Sequence, residues 1–317
     1  MAPYGVNHWG MSHDLTTENE TQNGQEKPIL PMTDAEMETY RLHRRFDRMG
    51  RLVGDPAMAK LFQTHVMVVG VGGVGSFAAE SLVRSGVGKV TLVDFDEICI
   101  TNFNRQLHSL NGLVGEKKVE VMADRLRKIN PQANIHAIVK FYNARFADEI
   151  FGEAEQIHGS RPDFVVDAID SVTPKCHLIA RCRDSNIRLI TSTGSGGKMD
   201  PTRIRVKDLS ETNVDPLAKA IRKILRNQYA FPDKGLYNIP AVFSEEQTRA
   251  PMELNYDNGK GFRCVCPQGK NEFFNCDNRN VILGNASFVT GAFGLACASI
   301  VVNEVSASVN PAVEEAN

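Results

Sequence analysis

The sequence predicts an α/β fold, a Rossmann-like, doubly wound and mainly parallel sheet with a C-terminal extension. Short apolar runs alternate with helical stretches between residues 65 and 193, the spacing of βαβ units. A glycine-rich turn, Gly70-Val-Gly72-Gly73-Val-Gly75, follows the first run directly. Acids close two of these runs, Asp94 and Asp96 the second and Asp167 the fourth.

Residues 1–32 are polar and aperiodic and predict a disordered tail. Thr33 to Arg51 predicts one helix, with Thr33 and Glu36 spaced as a capping box. His65–Val69 is the first predicted strand, and Ser76–Ser85 a helix closed by Gly86 and Gly88. Lys89–Val93 is the second strand, and residues 115–130 a helix stopped by Pro131. Residues 134–139 and 164–167 give the third and fourth strands, 173–185 a helix and 188–193 the fifth strand. Beyond Gly194 the pattern changes to a strand over 203–206, a helix over 215–229 and few clear elements from 231 to 280. Residues 281–302 carry no charge, long enough to cross a bilayer. Their many Gly, Ala and Ser residues favour a buried core helix, so no membrane partner is expected.

The 36 basic and 38 acidic residues give a net charge of -2, so any nucleic-acid surface must be local. The seven cysteines, an odd number with scattered spacing, point to free thiols in a reducing cytoplasm. No apolar stretch behind a basic segment marks a secretory signal near Met1.

The glycine turn suits a phosphate. Gly70 permits the tight turn, Gly72 the approach of backbone to anion, and Gly75 close helix–strand packing. A helix N-terminus then faces the anion. Asp94 lies where an acid can bond a ribose. That pattern alone favours NAD. Asp96, Asn102, Arg105 and Gln106 follow at the carboxyl end of the second strand, and a hydride-transfer site has little use for so many phosphate-directed groups. Arg105 suits bidentate phosphate contact, Lys117 or Lys118 a point-charge contact, and Asp170 a Mg2+ ion held through one carboxylate.

These motifs, Gly70-x-Gly-Gly-x-Gly75, Asp94-x-Asp96, Asn102-x-x-Arg-Gln106, Lys118 and Asp167-x-x-Asp170, resemble the enzymes that adenylate ubiquitin-like proteins and sulfur carriers. Further stretches resemble the branch of tRNA threonylcarbamoyladenosine dehydratases: Arg45-Phe46, Gly194-Ser-Gly-Gly197, Asp215-Pro-Leu-Ala218, Val242-Phe-Ser244 and Gly291-Ala-Phe-Gly-Leu295. The resemblance implies one adenylating domain over 33–305, RNA-facing from about 200, with a flexible tail over 306–317. It implies ATP with Mg2+ as cofactors, tRNA as substrate, a homodimer, and a sulfur-transfer protein as a further candidate partner. ATP would adenylate the threonyl carboxylate of the modified adenosine, and intramolecular attack would close a ring and release AMP.

By the same resemblance Gly70, Gly72, Gly73 and Gly75 line the phosphate turn. Asp94 and Asp96 belong to the nucleotide pocket, Asn102, Arg105, Gln106 and Lys118 contact the triphosphate, and Asp170 positions Mg2+. Arg45 would act in the partner subunit's site, with Arg44, Arg48 and Arg51 as competitors. Cys264-x-Cys266 with Cys276 lacks the paired Cys-x-x-Cys spacing of a structural zinc site, so no zinc is expected, and no cysteine is marked as catalytic. Lys219, Arg222, Lys223 and Arg226 fall on one helical face that can meet tRNA phosphates. The alternatives are activation of a sulfur carrier's C-terminus, a non-catalytic nucleotide-binding scaffold and, more distantly, a dehydrogenase.

Overall fold

The computed structural model describes residues 31–254, 265 and 282–309, and the chain divides at Arg41–Leu42 into a small N-terminal unit and a main unit. In the N-terminal unit the capping box forms: the Thr33 N–H donates to Glu36 Oε2 at 2.8 Å and the Glu36 N–H to Thr33 Oγ1 at 3.3 Å. The single helix expected over 33–51 is two, α1 (Asp34–Arg45) and α2 (Asp47–Val53). The break falls at Phe46, which leaves the helical region to bury its ring against Phe62, 5.7 Å away.

The main unit is built on strands β1 (His65–Val69), β2 (Lys89–Val93), β3 (Asn134–Ile138), β4 (Phe164–Asp167), β5 (Arg188–Ser192), β6 (Ile204–Asp208) and β7 (Pro240–Ser244). Their order in the sheet is β3-β2-β1-β4-β5-β7-β6, parallel throughout except β6 against β7. β1 and β4 therefore flank the switch point, where open α/β sheets bind ligands. The helices are α3 (Asp55–Gln63), α4 (Gly75–Arg84), α5 (Lys118–Ile129), α6 (Ala147–His158), α7 (Val172–Asp184), α8 (Pro216–Tyr229) and α9 (Ser287–Ala307). The first five strands and the helices α4, α5 and α7 fall within three residues of expectation. Three elements are additional: α3, α6 and β7. β7 slots between β5 and the reversed β6, so its partners on both sides come from distant parts of the chain.

Alternate strand residues feed two cores. Val66, Val68, Val90, Leu92, Val166 and Ile190 pack under α4, α5 and α9. Met67, Val69, Val93, Val165 and Leu189 pack under α6, α7 and α8. Burial on both faces is why these strands read as continuous apolar runs. Residues 287–302 of the uncharged segment lie in α9, packed on α4. At Gly294 a Cβ would lie 2.4 Å from the Val74 carbonyl oxygen and 2.8 Å from the Ala78 nitrogen. Its small residues thus serve close approach. The helix runs to Ala307 and Val309 still touches the core, past the boundary expected at 305.

Candidate active site

The glycine turn is shaped by what surrounds it. Gly70 ends β1 at φ +88°, and a Cβ there would sit 2.8 Å from the Ala168 carbonyl oxygen at the end of β4. No other residue type fits both the backbone and the space. Asp94, at the end of β2, holds the turn. Its Oδ2 accepts the Val71 N–H at 2.7 Å and its Oδ1 the Asp96 N–H at 2.9 Å. Each carboxylate oxygen keeps a further lone pair, so bracing the turn and bonding a ribose are compatible. α4 begins without a side-chain cap, leaving first-turn N–H groups for an anion.

The segment after β2 forms the opposite wall. A Cβ on Gly73 would meet Arg105 Cγ at 3.3 Å and Thr290 Cβ at 3.2 Å; one on Gly72 would meet Gln106 Nε2 at 3.7 Å. Arg105 and Gln106 therefore lie against the glycine turn. Arg105 Nη1 donates to the Thr101 carbonyl at 2.9 Å and to Asn104 Oδ1 at 3.0 Å, and Asn104 Nδ2 donates to the Asn285 carbonyl at 2.9 Å. Thr290 and Asn285 close the site from the α9 side, a contribution with no motif to announce it. Asn102 is buried, and its Oδ1 accepts the Cys99 N–H at 3.0 Å. Its amide oxygen shapes the turn that carries Arg105 and Gln106, a task beyond the phosphate contact expected of it.

Lys118 opens α5 with its side chain 7% exposed, and its Nζ lies 2.6 Å from Asp96 Oδ2. Burial works against the ammonium, but Asp94, Asp96 and Asp170 offset it and hold Lys118 above the ordinary lysine range. Lys117 instead pairs with Glu97 at 2.8 Å, which separates two lysines that spacing alone left equivalent. Asp170 is exposed just beyond β4. Asp167 has a different role from Asp170: it is fully buried in an ion pair with the equally buried Lys175 at 2.9 Å, and it accepts Thr191 Oγ1 at 2.8 Å. Lys175 Nζ also donates to the Ile169 carbonyl at 2.9 Å. This pair fixes the 168–170 segment against Gly70. Lys175 stands in the first turn of α7 without a motif.

Other expected residues lie elsewhere. Arg45 Nη1 donates to the Ile129 carbonyl at 2.9 Å, at the far end of α5 from Lys118. The 12 residues of α5 separate the two by about 17 Å, so Arg45 does not reach the site of its own chain. Arg44 and Arg51 both pair with Asp47. On α8 the four cations do not share one face toward solvent. Lys219 and Lys223 are exposed, whereas Arg222 turns inward to Thr212 Oγ1 and the Leu209 carbonyl, and Arg226 faces Asp233 at 3.8 Å. A helix leaning on a neighbouring strap buries the side of its polar stripe nearest that strap. Cys99, Cys176, Cys182 and Cys297 are buried and form no disulfide, and burial raises the thiols of Cys176 to about 11 and Cys297 to about 12. Cys264, Cys266 and Cys276 lie outside the described residues.

A parallel sheet with a phosphate-type turn at its switch point, walled by an arginine, a glutamine and a buried lysine, defines a nucleotide-dependent adenylating enzyme, and the chain belongs to the ThiF family, whose model matches residues 46–315. It is similar to the tRNA threonylcarbamoyladenosine dehydratases of Escherichia coli K12, at 38% identity over 266 residues, and of Haemophilus influenzae, at 37% over 264. Each match covers 83% of this chain, and 94% and 93% of the relative. Its backbone is similar to the crystal structure of the E. coli dehydratase in complex with ATP, at TM-score 0.69 and 35% identity over 88% of this chain and 98% of that one. The E. coli sulfur carrier protein ThiS adenylyltransferase matches only 44% of this chain, at 30% identity.

Proposed function

We propose that this chain is an ATP-dependent tRNA threonylcarbamoyladenosine dehydratase, which adenylates the threonyl carboxylate of the modified adenosine and closes it to the cyclic form. The observation that carries this is the convergence of Arg105 and Gln106 on the glycine turn, with Lys118 buried at the end of the neighbouring strand. These are cationic and donor groups grouped for a triphosphate, at the switch point.

In the first step a carboxylate oxygen attacks the α-phosphorus, the bond to the bridging oxygen breaks and pyrophosphate leaves. The turn's N–H groups, Arg105 and Gln106 bear the phosphate charge, and Lys118 stabilises the growth of that charge in the transition state. In the second step a nucleophile within the same side chain attacks the acyl carbon and AMP leaves with the carboxylate oxygen. The net change is loss of water from the nucleoside. Closure within one molecule needs positioning more than a further catalytic thiol, in keeping with the thiols of Cys176, Cys182 and Cys297, which burial raises.

The same proposal includes Mg2+, a cytoplasmic location and a tRNA-facing region beyond residue 200. Asp170 is exposed, and its Oδ1 accepts the Ser171 hydroxyl at 3.5 Å. One carboxylate with phosphate oxygens and water suits Mg2+, which seldom needs an all-protein cage. A homodimer is supported by α9, where the apolar side chains Phe288 and Leu295, two turns apart on one face, stay 52% and 51% exposed. Arg45 reaching a partner's site and the assignment of 33–305 to one adenylating domain belong to this proposal as well.

Mass spectrometry of nucleosides from tRNA incubated with the protein and ATP tests it. Loss of one water from the threonylcarbamoyl nucleoside is the expected result. ATP–pyrophosphate exchange that needs a small carrier protein in place of modified tRNA would overturn it.

A further inference from the structure

His108 lies two residues beyond Gln106, and the two side chains are 1% and 7% exposed. His108 Nε2 is 3.1 Å from Gln106 Oε1. An amide oxygen only accepts, so the imidazole proton sits on Nε2. The other nitrogen, Nδ1, is buried with no hydrogen-bond partner among the described residues, tolerable for a lone pair and costly for an N–H. The opposite arrangement, with the Gln106 amide turned over, would require that proton on Nδ1 and strand it. Burial, with Lys118 and Arg125 nearby, pulls His108 down to about 3. The ring thus holds one proton, at one nitrogen, across the physiological range.

We propose that His108 is a positioning residue: it fixes the Gln106 amide so that Nε2, rather than Oε1, faces the glycine turn at Gly72. Gln106 Nε2 stands 3.7 Å from the position of a Gly72 Cβ, so a donor is presented where phosphate oxygens approach. Turned over, the amide would offer an oxygen lone pair to an anion and set its NH2 against the His108 N–H. The inference rests on the assignment of Gln106 as a triphosphate contact and extends it to a residue that never touches the nucleotide.

Calorimetric ATP affinity of the full-length protein tests it with H108Q and H108M, side chains of similar length of which only Gln carries a donor at the Nε2 position. H108Q should stay within about threefold of the parent. H108M should lose about tenfold, the scale of one hydrogen bond to a charged group. At saturating ATP, H108M should keep kcat within about twofold while KM for ATP rises, as expected when ground-state and transition-state binding fall together. The double variant Q106A/H108M should bind no more weakly than Q106A, because the effect passes through the amide. Equal affinities for H108Q and H108M, or additive losses in the double variant, overturn the proposal. If Q106A binds ATP like the parent, the assignment of Gln106 fails first, and that outcome is distinct from additivity.

Discussion

Lys118 Nζ and Asp96 Oδ2 stand 2.6 Å apart across the mouth of β2, the lysine buried and the aspartate side chain 40% exposed. The carboxylate holds the ammonium in place at the edge of the pocket. Lys117, one residue earlier, is spent on Glu97. Lys118→Met should therefore lower ATP–pyrophosphate exchange on the order of 100- to 1000-fold, as for other groups that stabilise transition-state charge. Lys117→Met should change it less than about threefold. Equal losses in the two variants would contradict this division.

The Asp167–Lys175 pair is a support of the site, and it is entirely buried. Lys175→Met leaves a buried carboxylate without its counter-ion and should cost about 3–5 kcal/mol in urea unfolding. The double variant Asp167→Leu/Lys175→Met should recover much of that stability, since paired removal strands no charge. It should still weaken ATP binding, because the 168–170 segment loses the tie at Ile169.

The geometry of α8 divides its cations. Lys219→Glu with Lys223→Glu should weaken tRNA binding by about tenfold and make the salt dependence shallower, by roughly one unit of slope for each phosphate left unneutralised. ATP affinity should be unchanged in a filter-binding and calorimetry comparison. Arg222→Ala should act on stability instead, by about 1–2 kcal/mol, because its hydrogen bonds to Thr212 and Leu209 disappear.

His65 and His158 bond the same hydroxyl, Thr91 Oγ1, at 3.0 and 3.1 Å. Burial lowers both, and His158, with His65, His136 and Lys89 adding to it, falls to about 4. Unfolded histidine titrates near 6.5. Between these values the unfolded chain binds more protons than the native one, so stability rises with pH through this window and levels above it. Scanning calorimetry should show Tm falling by roughly a few degrees from pH 6.5 to 4.5. His158→Gln, which keeps a donor toward Thr91 and does not titrate, should flatten that slope.

The alternation of apolar runs and helices determined the parallel sheet, because strands buried on both faces must be apolar along their length. The glycine spacing likewise determined the phosphate turn, since the φ of Gly70 and its approach to Ala168 exclude side chains. These are local or near-local demands, legible in consecutive residues. The tertiary structure decided what depends on distant neighbours. It inserted β7 beside β5, chose Lys118 over Lys117, brought Thr290 against Gly73, set Lys175 under Asp167, turned Arg222 inward and sent Arg45 to the far end of α5. A charged side chain carries no mark of its partner, and its role follows from which carboxylate, carbonyl or anion the fold brings within about 3 Å.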